Sequence, residues 1–395
     1  MILSNVIAID TDNEIIHFYS TDSKDKEDKK TVKHDAQSYH ARPFDEEFYE
    51  KFSHILKLHR DNNPHEQLQK VSLVLPNSAF FTDTVNIPTM HKKAMASFLD
   101  VAVRAIYKNA DEIRYNAFAV AQNKQYTTYA LVGIRKDIVN RLKAVCSDNH
   151  ISVSNITSFA NATVNGAYAL EPKLKNSSFV LLDIKERASF YSIVVKGKTL
   201  GFYSLPFGYS ILSDSEIFTE DLLFDHSPAH LVVLNAKAKA RAKHLALGED
   251  VNTMDDDDVS VETRQSEAED IIDFEDNLEF VYSACNSKKT ARKLPKSLLR
   301  EEPTNKEGYV YENFRHFLKW TIELISNNKA LVNLGNIDAV YVNMPQGNEF
   351  LYDMINTEQE EHKISFLPLS DHRYNSSLEL MGGLSVKQYN KINNF

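Results

Sequence analysis

Apolar and polar positions along the first third of the chain alternate in short blocks. Val6 to Ile9 is an apolar run that ends on Asp10, and the polar turn Asp10-Thr11-Asp12-Asn13 leads into a second extended stretch, so residues 1 to 20 predict strand, turn and strand. "KVSLVLPNS" (Lys70 to Ser78) predicts a buried strand closed by Pro76, and "AFFTDTVNIP" follows with an alternation of period two. From His91 to Tyr107 the apolar residues Met95, Phe98, Leu99, Ala102, Val103 and Ile106 recur at helical spacing, which predicts an amphipathic helix with one buried face. "YTTYALVGI" (Tyr126 to Ile134) predicts a strand and "RKDIVNRLKAVCSDNHI" a helix. The order strand, helix, strand, strand, helix across residues 80 to 150 describes a small α+β unit.

The pattern of the opening returns later. Strands are predicted at Phe179 to Asp183, Ser189 to Val195 and Thr199 to Leu205, with a turn at Lys196-Gly197-Lys198. An apolar strand again runs into an aspartate and a polar turn, which puts Asp10 and Asp183 in equivalent places. Two such halves predict two similar lobes.

Composition changes the picture at one residue type. The chain of 395 residues is long enough for two or three domains, and its 43% hydrophobic content predicts a sizeable core. Only 11 glycines occur, however, and the first is Gly133, so no glycine-rich phosphate loop exists in the first third. Phosphate cradles use glycine because the backbone approaches the anion closely, often at positive φ. The two cysteines, Cys146 and Cys285, form neither a disulfide framework nor a thiolate zinc site. No basic leader and no long apolar run occurs, so a cytoplasmic protein is expected.

Charge adds an insertion. The net charge of −10 is concentrated in Glu249 to Glu279, which holds 14 acidic residues and one basic residue. The basic stretch "SKKTARKLPKSLLREEP" follows. Together, at about 249–307, they predict a mobile, solvated insertion, with Ile271, Ile272 and Phe274 as a short apolar motif within it. With no basic stripe elsewhere, nucleic acid is not an expected partner. His226 and His230 have metal-ligand spacing, but Pro228 lies between them and no nearby carboxylate completes a site. Trp320 is read as core packing on a late helix. No G-x-S-x-G, H-E-x-x-H or C-x-x-C motif gives a hydrolase, zinc protease or redox reading.

Several stretches resemble the PilM type IV pilus assembly proteins, relatives of the cell-division protein FtsA. "VSLVLPNSAFFTDTVNIPTMHKKAMASFLDVAVRAIY" is similar to the family's passage from a lobe-one strand into an inserted subdomain. "YALVGIRKDIVNRLKAVCSDNHISVSNITSFANATVNGAYAL" resembles the end of that subdomain and the alanine-rich helix after it, and "FVLLDIKERASFYSIVVKGKTLGFYSLPFG" the second phosphate hairpin. "NIDAVYVNMPQGNEFLYDMI" and "SLELMGGLSVKQYN" resemble the adenosine-side strand and the closing helix. The resemblance covers nearly the whole chain outside 249–307. It implies an α/β, two-lobed actin-like ATPase (ribonuclease H-like) fold with an inserted α+β subdomain in lobe one. The implied boundaries are 1–175 for lobe one, about 79–150 for the inserted subdomain, 176–375 for lobe two, and 376–395 for a C-terminal helix returning to lobe one.

The departures from the family fall at nucleotide contacts. Relatives that use ATP carry Asp-x-Gly in both hairpins, where this chain has Asp12 and Lys185 in the glycine positions, and a Gly-Gly pair after the adenosine-side strand, where this chain has Met344-Pro345-Gln346-Gly347. The expectation is a degenerate site that holds no cofactor. The alternative is a modified Mg-ATP site, whose residues by resemblance would be Asp10, Thr11, Asp12, Asn13, Asp183, Lys185, Glu186, Gly208, Gln346 and Gly347. Asp10 and Asp183 would then hold Mg²⁺, and Lys185 would neutralise a phosphate as a point charge.

For partners, the resemblance implies a short N-terminal cytoplasmic peptide of a bitopic inner-membrane protein, PilN-like, received near Val85, Ile87, Met95, Phe98 and Leu99. Self-association is left open. The chain ends at "SVKQYNKINNF" without the amphipathic extension by which FtsA-like proteins attach to membranes, so peripheral localisation at the inner face of the membrane is expected to run through a protein partner. An FtsA-like division scaffold is the related alternative.

Overall fold

The computed structural model describes residues 5–11, 13–21, 32–63, 70–106, 110–122, 124–185, 189–205, 208, 339–343, 366–368 and 383. The acidic and basic insertion, His226, His230 and Trp320 lie outside the described residues. The chain divides into two compact units, Met1–Phe179 with Ser192–Phe202 and Asp371–Phe395, and Val180–Tyr191 with Tyr203–Ser370.

In the first unit, β1 (Asn5–Asp10), β2 (Ile15–Thr21), β3 (Val32–Ser38), β4 (Lys70–Leu75) and β8 (Ser152–Ser158) form a five-stranded sheet in the order β3-β2-β1-β4-β8. β1, β2 and β3 pair antiparallel, while β1, β4 and β8 run parallel. The near-continuous apolar runs of β1 and β4 suit strands covered on both faces, and Val6, Ile7, Ile9, Leu73 and Val74 are fully buried. Val6, Ala8, Tyr19 and Val74 share a core cluster with Ala162 and Phe159 of α4 (Phe159–Leu170). Gly383, helical and buried, meets this same cluster, because a Cβ there would stand 3.1 Å from Val6 and Val74 methyl groups.

Two helices cover this lobe in ways the local sequence explains. α1 (Glu46–Asn62) starts at Asp45, whose carboxylate accepts the Phe48 N–H at 2.7 Å, and it buries Phe48, Tyr49, Phe52, Ile55, Leu56 and His59 at three- and four-residue spacing. α3 (Lys136–Asp148) packs beside it, with Arg141 paired to Glu46 and lying 4.3 Å over the Tyr49 ring.

Between β4 and β8 the chain makes a second sheet of its own. β5 (Phe80–Pro88), β6 (Ile113–Gln122) and β7 (Tyr126–Arg135) pair antiparallel in the order β5-β7-β6, with α2 (Lys92–Ile106) against β5. β7 is the central strand, and seven of its ten residues are buried.

The second five-stranded sheet has the order β11-β10-β9-β12-β13, from β9 (Phe179–Ile184), β10 (Ser189–Val195), β11 (Lys198–Leu205), β12 (Ala339–Asn343) and β13 (Phe366–Pro368). Every residue of β9 and β10 is buried. The turn between β10 and β11 uses Gly197 at φ +73°, with the Lys175 carbonyl where a side chain would be. Only glycine fits there.

Candidate functional site

The first candidate hairpin is closed by its own side chains. Asp10 ends β1 and bends back on the turn, accepting the Asn13 backbone N–H at 3.2 Å and the Asn13 side-chain amide at 3.0 Å. His17 on β2 brings its Nε2 within 3.7 Å of the second carboxylate oxygen. Burial pushes the Asp10 carboxyl up, but hydrogen bonds from His17 and Asn13 outweigh it and hold the group below its ordinary value. The turn does contain a left-handed residue, but it is Glu14 at φ +54°, not glycine. Glu14 pairs at 3.1 Å with His40, itself at φ +43°. Thr11 lies in the turn, half-buried, and Asp12 is outside the described residues.

In the second hairpin Asp183 is fully buried at the end of β9. The side-chain amide of Asn343, from β12, donates to one carboxylate oxygen at 2.8 Å, and the Lys185 ammonium stands 3.4 Å from the other. Asn343 was not among the residues the sequence singled out. Its only signal was its position at the end of the strand that by resemblance would lie on the adenosine side. Gly208 is buried outside any strand or helix, and Glu186, Gln346 and Gly347 are outside the described residues. Among the described residues no group of three His, Cys, Asp or Glu side chains is placed to hold a metal ion.

The surface expected to receive a partner peptide separates into two faces. Val85 and Ile87 on β5 point into the core, at 9% and 0% exposure, and so do not line an open groove. Phe98 points outward at 44%, and Val101, one turn on, at 61%, with Ala94 and Ala105 also exposed at the same stripe. Leu99 is half-buried and Val103 is buried on the opposite side of α2, and the Met95 side chain is outside the described residues. α2 therefore carries two apolar faces, and among the described residues one is covered and the other exposed. Among the described residues no helix is long and apolar enough to cross a membrane.

No protein-family model and no curated protein sequence matches the chain. Solved structures do. The chain is similar to a structure described as the PilM-PilN type IV pilus biogenesis complex, at 10% identity and a TM-score of 0.53, over 97% of this chain and 95% of that one. Two further likenesses are the ethanolamine utilization protein EutJ from Carboxydothermus hydrogenoformans (11% identity, 98% and 90% covered, TM-score 0.41) and the cytoplasmic domain of EpsL, an inner membrane component of the type II secretion system of Vibrio cholerae (10%, 54% and 76%, 0.36). The chain has the α/β actin-like ATPase fold.

Proposed function

We propose that this protein is an actin-like scaffold of a type IV pilus or related membrane-associated assembly system, in which the nucleotide site has been given up and partner binding kept. The observation that carries this reading is the state of Asp183. An aspartate that serves a nucleotide-bound Mg²⁺ needs oxygens turned toward the metal and its waters. Here the carboxylate is fully buried and spends its oxygens on Asn343 and Lys185. Asp10 is likewise engaged by Asn13 and His17. Each hairpin keeps its strands, and in each the acid is engaged by protein side chains.

The likeness to the PilM-PilN complex supports a partner of the PilN kind, the cytoplasmic N-terminal peptide of a bitopic inner-membrane protein. Such a partner would bring the scaffold to the cytoplasmic face of the membrane. The outward apolar face of α2, with Phe98 and Val101, is the surface in the inserted subdomain that suits a peptide, since recognition by an apolar helix face needs no nucleotide chemistry.

Isothermal titration with Mg-ATP tests the first half, repeated with Asp10→Ala and Asp183→Ala. The folded protein is expected to give no heat. Micromolar binding that both substitutions weaken would restore an ATP-driven switch. Co-purification with a bitopic membrane protein encoded by a neighbouring gene tests the second half, and Phe98→Asp with Val101→Asp is expected to abolish it.

A further inference from the structure

α2 turns a narrow apolar stripe outward. Ala94, Phe98, Val101 and Ala105 are all exposed and follow one another at steps of four, three and four residues. On an α-helix those positions stay within a band about 60° wide, which is the spacing of a coiled-coil seam and narrower than a face laid on a sheet. The inward face is a separate set, with Val103 buried and Leu99 and Ala102 half-buried. Among the described residues Leu58, Phe98, Val101 and Tyr126 are the exposed large apolar side chains, and three of the four belong to the inserted unit. Tyr126 stands opposite Pro88, where the chain leaves β5 for α2.

Charge along the helix is uneven. Arg104, near the C-terminal end, is engaged by Asp100 at 3.0 Å and by Asp111 at 2.8 Å. The first turn holds Lys92 and Lys93 and no acidic residue, and His91 just before it is exposed. At helical spacing Lys93 falls on the same flank of the seam as Ser97, Asp100 and Arg104. Cations at a helix N-terminus oppose the macrodipole, so this end gains from a carboxylate that another molecule brings.

We propose that the outward seam of α2 receives a short amphipathic helix that presents apolar residues at the same alternating spacing and carries acidic residues over the first turn of α2. The occupant rests on the partner reading above: it is the cytoplasmic segment of the membrane partner, now given a conformation and a sign of charge. The spacing asks for a helix, because an extended peptide presents a side chain to one face at every second residue and runs out of step with the seam. A second copy of this chain does not supply the acid. Antiparallel pairing of two such seams would set Lys93 near the second copy's Arg104, and parallel pairing would set it beside the second copy's Lys93. A seam of four residues, two of them alanine, also buries too little to hold two copies together by itself.

The test is fluorescence anisotropy of the full-length protein at low salt with synthetic peptides of about 18 residues that carry leucine at the seam spacing. One peptide is flanked by glutamates, its twin has lysines in the same places, and a third is the glutamate peptide with a central proline. The glutamate helix is expected to bind about tenfold or more tightly than its lysine twin, and the proline peptide not at all. Phe98→Asp and Val101→Asp, both at positions already exposed, are each expected to abolish binding, and Lys93→Glu to erase the preference between the twins. Equal binding of the twins, binding of the proline peptide, no binding of any peptide, or a preference that survives Lys93→Glu would overturn the proposal. Self-association that Phe98→Asp abolishes would assign the seam to a second copy and overturn it as well. Co-purification separates the two readings. A bitopic protein lost in Phe98→Asp but retained in Lys93→Glu keeps the partner and rejects the acidic helix, whereas glutamate-peptide binding with no bitopic protein retained supports the helix chemistry and rejects the partner.

Discussion

The Lys185 ammonium stands 3.4 Å from a carboxylate oxygen of Asp183, two residues back along the chain, and Asn343 closes the other oxygen at 2.8 Å. The hairpin thus carries its own counter-ion. Removing one member of a buried pair leaves a charge without compensation and costs about 3–5 kcal/mol when burial is complete. Lys185 is 25% exposed, so water recovers part of this, and Lys185→Met is expected to cost about 1–3 kcal/mol in urea unfolding. Adding Asp183→Asn is expected to recover part of the loss. A double variant as destabilised as the sum of the singles would mean that the two side chains do not act as a pair.

The ring of Phe81 covers the α-carbon of Gly133, its partner across β5 and β7, and occupies the space a Cβ would need. Gly133→Ala is expected to destabilise the inserted subdomain by about 1–3 kcal/mol through overpacking, and Phe81→Leu in the same chain to relieve part of that cost. Thermal unfolding of the four variants measures the coupling directly.

Glu14 adopts the left-handed conformation at φ +54°, which costs a residue with a side chain about 1–2 kcal/mol. Glycine avoids that cost but loses more entropy on folding. The ion pair forgone with His40 is largely exposed and worth little. Glu14→Gly is therefore expected to stabilise the protein by about 0.5–1 kcal/mol in urea unfolding, and a destabilised variant would show that the Glu14 side chain contributes more than its geometry implies.

Asp10 makes acid stability readable. Its carboxyl sits below the ordinary 3.8, so it contributes stability that is present above that value and lost as pH falls through the lower folded-state value. Asp10→Asn is expected to flatten the acid limb of the stability curve below about pH 4 and to leave its slope at neutral pH unchanged. An acid limb of unaltered steepness would assign the loss to other carboxylates, such as Asp35.

What the sequence revealed divides along physical lines. The inserted unit was legible because its periods are clean: α2 was expected over His91 to Tyr107 and spans Lys92–Ile106, and β7 was expected over Tyr126 to Ile134 and spans Tyr126–Arg135. The three strands after Phe179 were legible for the same reason. α1 carried a readable signal, an N-cap at Asp45 followed by Phe48, Phe52, Ile55 and Leu56, that the pattern reading passed over. β3 carried almost none, since "VKHDAQS" is a polar edge strand whose place is fixed by its neighbour. Val85 and Ile87, expected near a partner surface, are buried, since alternation along β5 shows which residues share a face but not which face is covered. The Asn343 bond to Asp183 has no trace in local spacing, because it joins residues brought together by the pairing of β9 and β12.

β4 and β8 are direct neighbours, with Leu75 opposite Ser158, although everything from Pro76 to Ile151 lies between them in sequence. A flexible loop of that length would tax folding through the entropy of closing its ends, and parallel pairing at such separation is slow. Here most of the interval is itself a folded sheet with α2, and it leaves and returns at Phe80 and Ile134, direct partners across β5 and β7 about 4.8 Å apart. The growing chain can complete that module before β8 has to find β4, so a long closure becomes a short one. The same arrangement makes the junction at Phe80 and Ile134 a natural place for a module to be exchanged while α3 and the sheet that carries it stay in place.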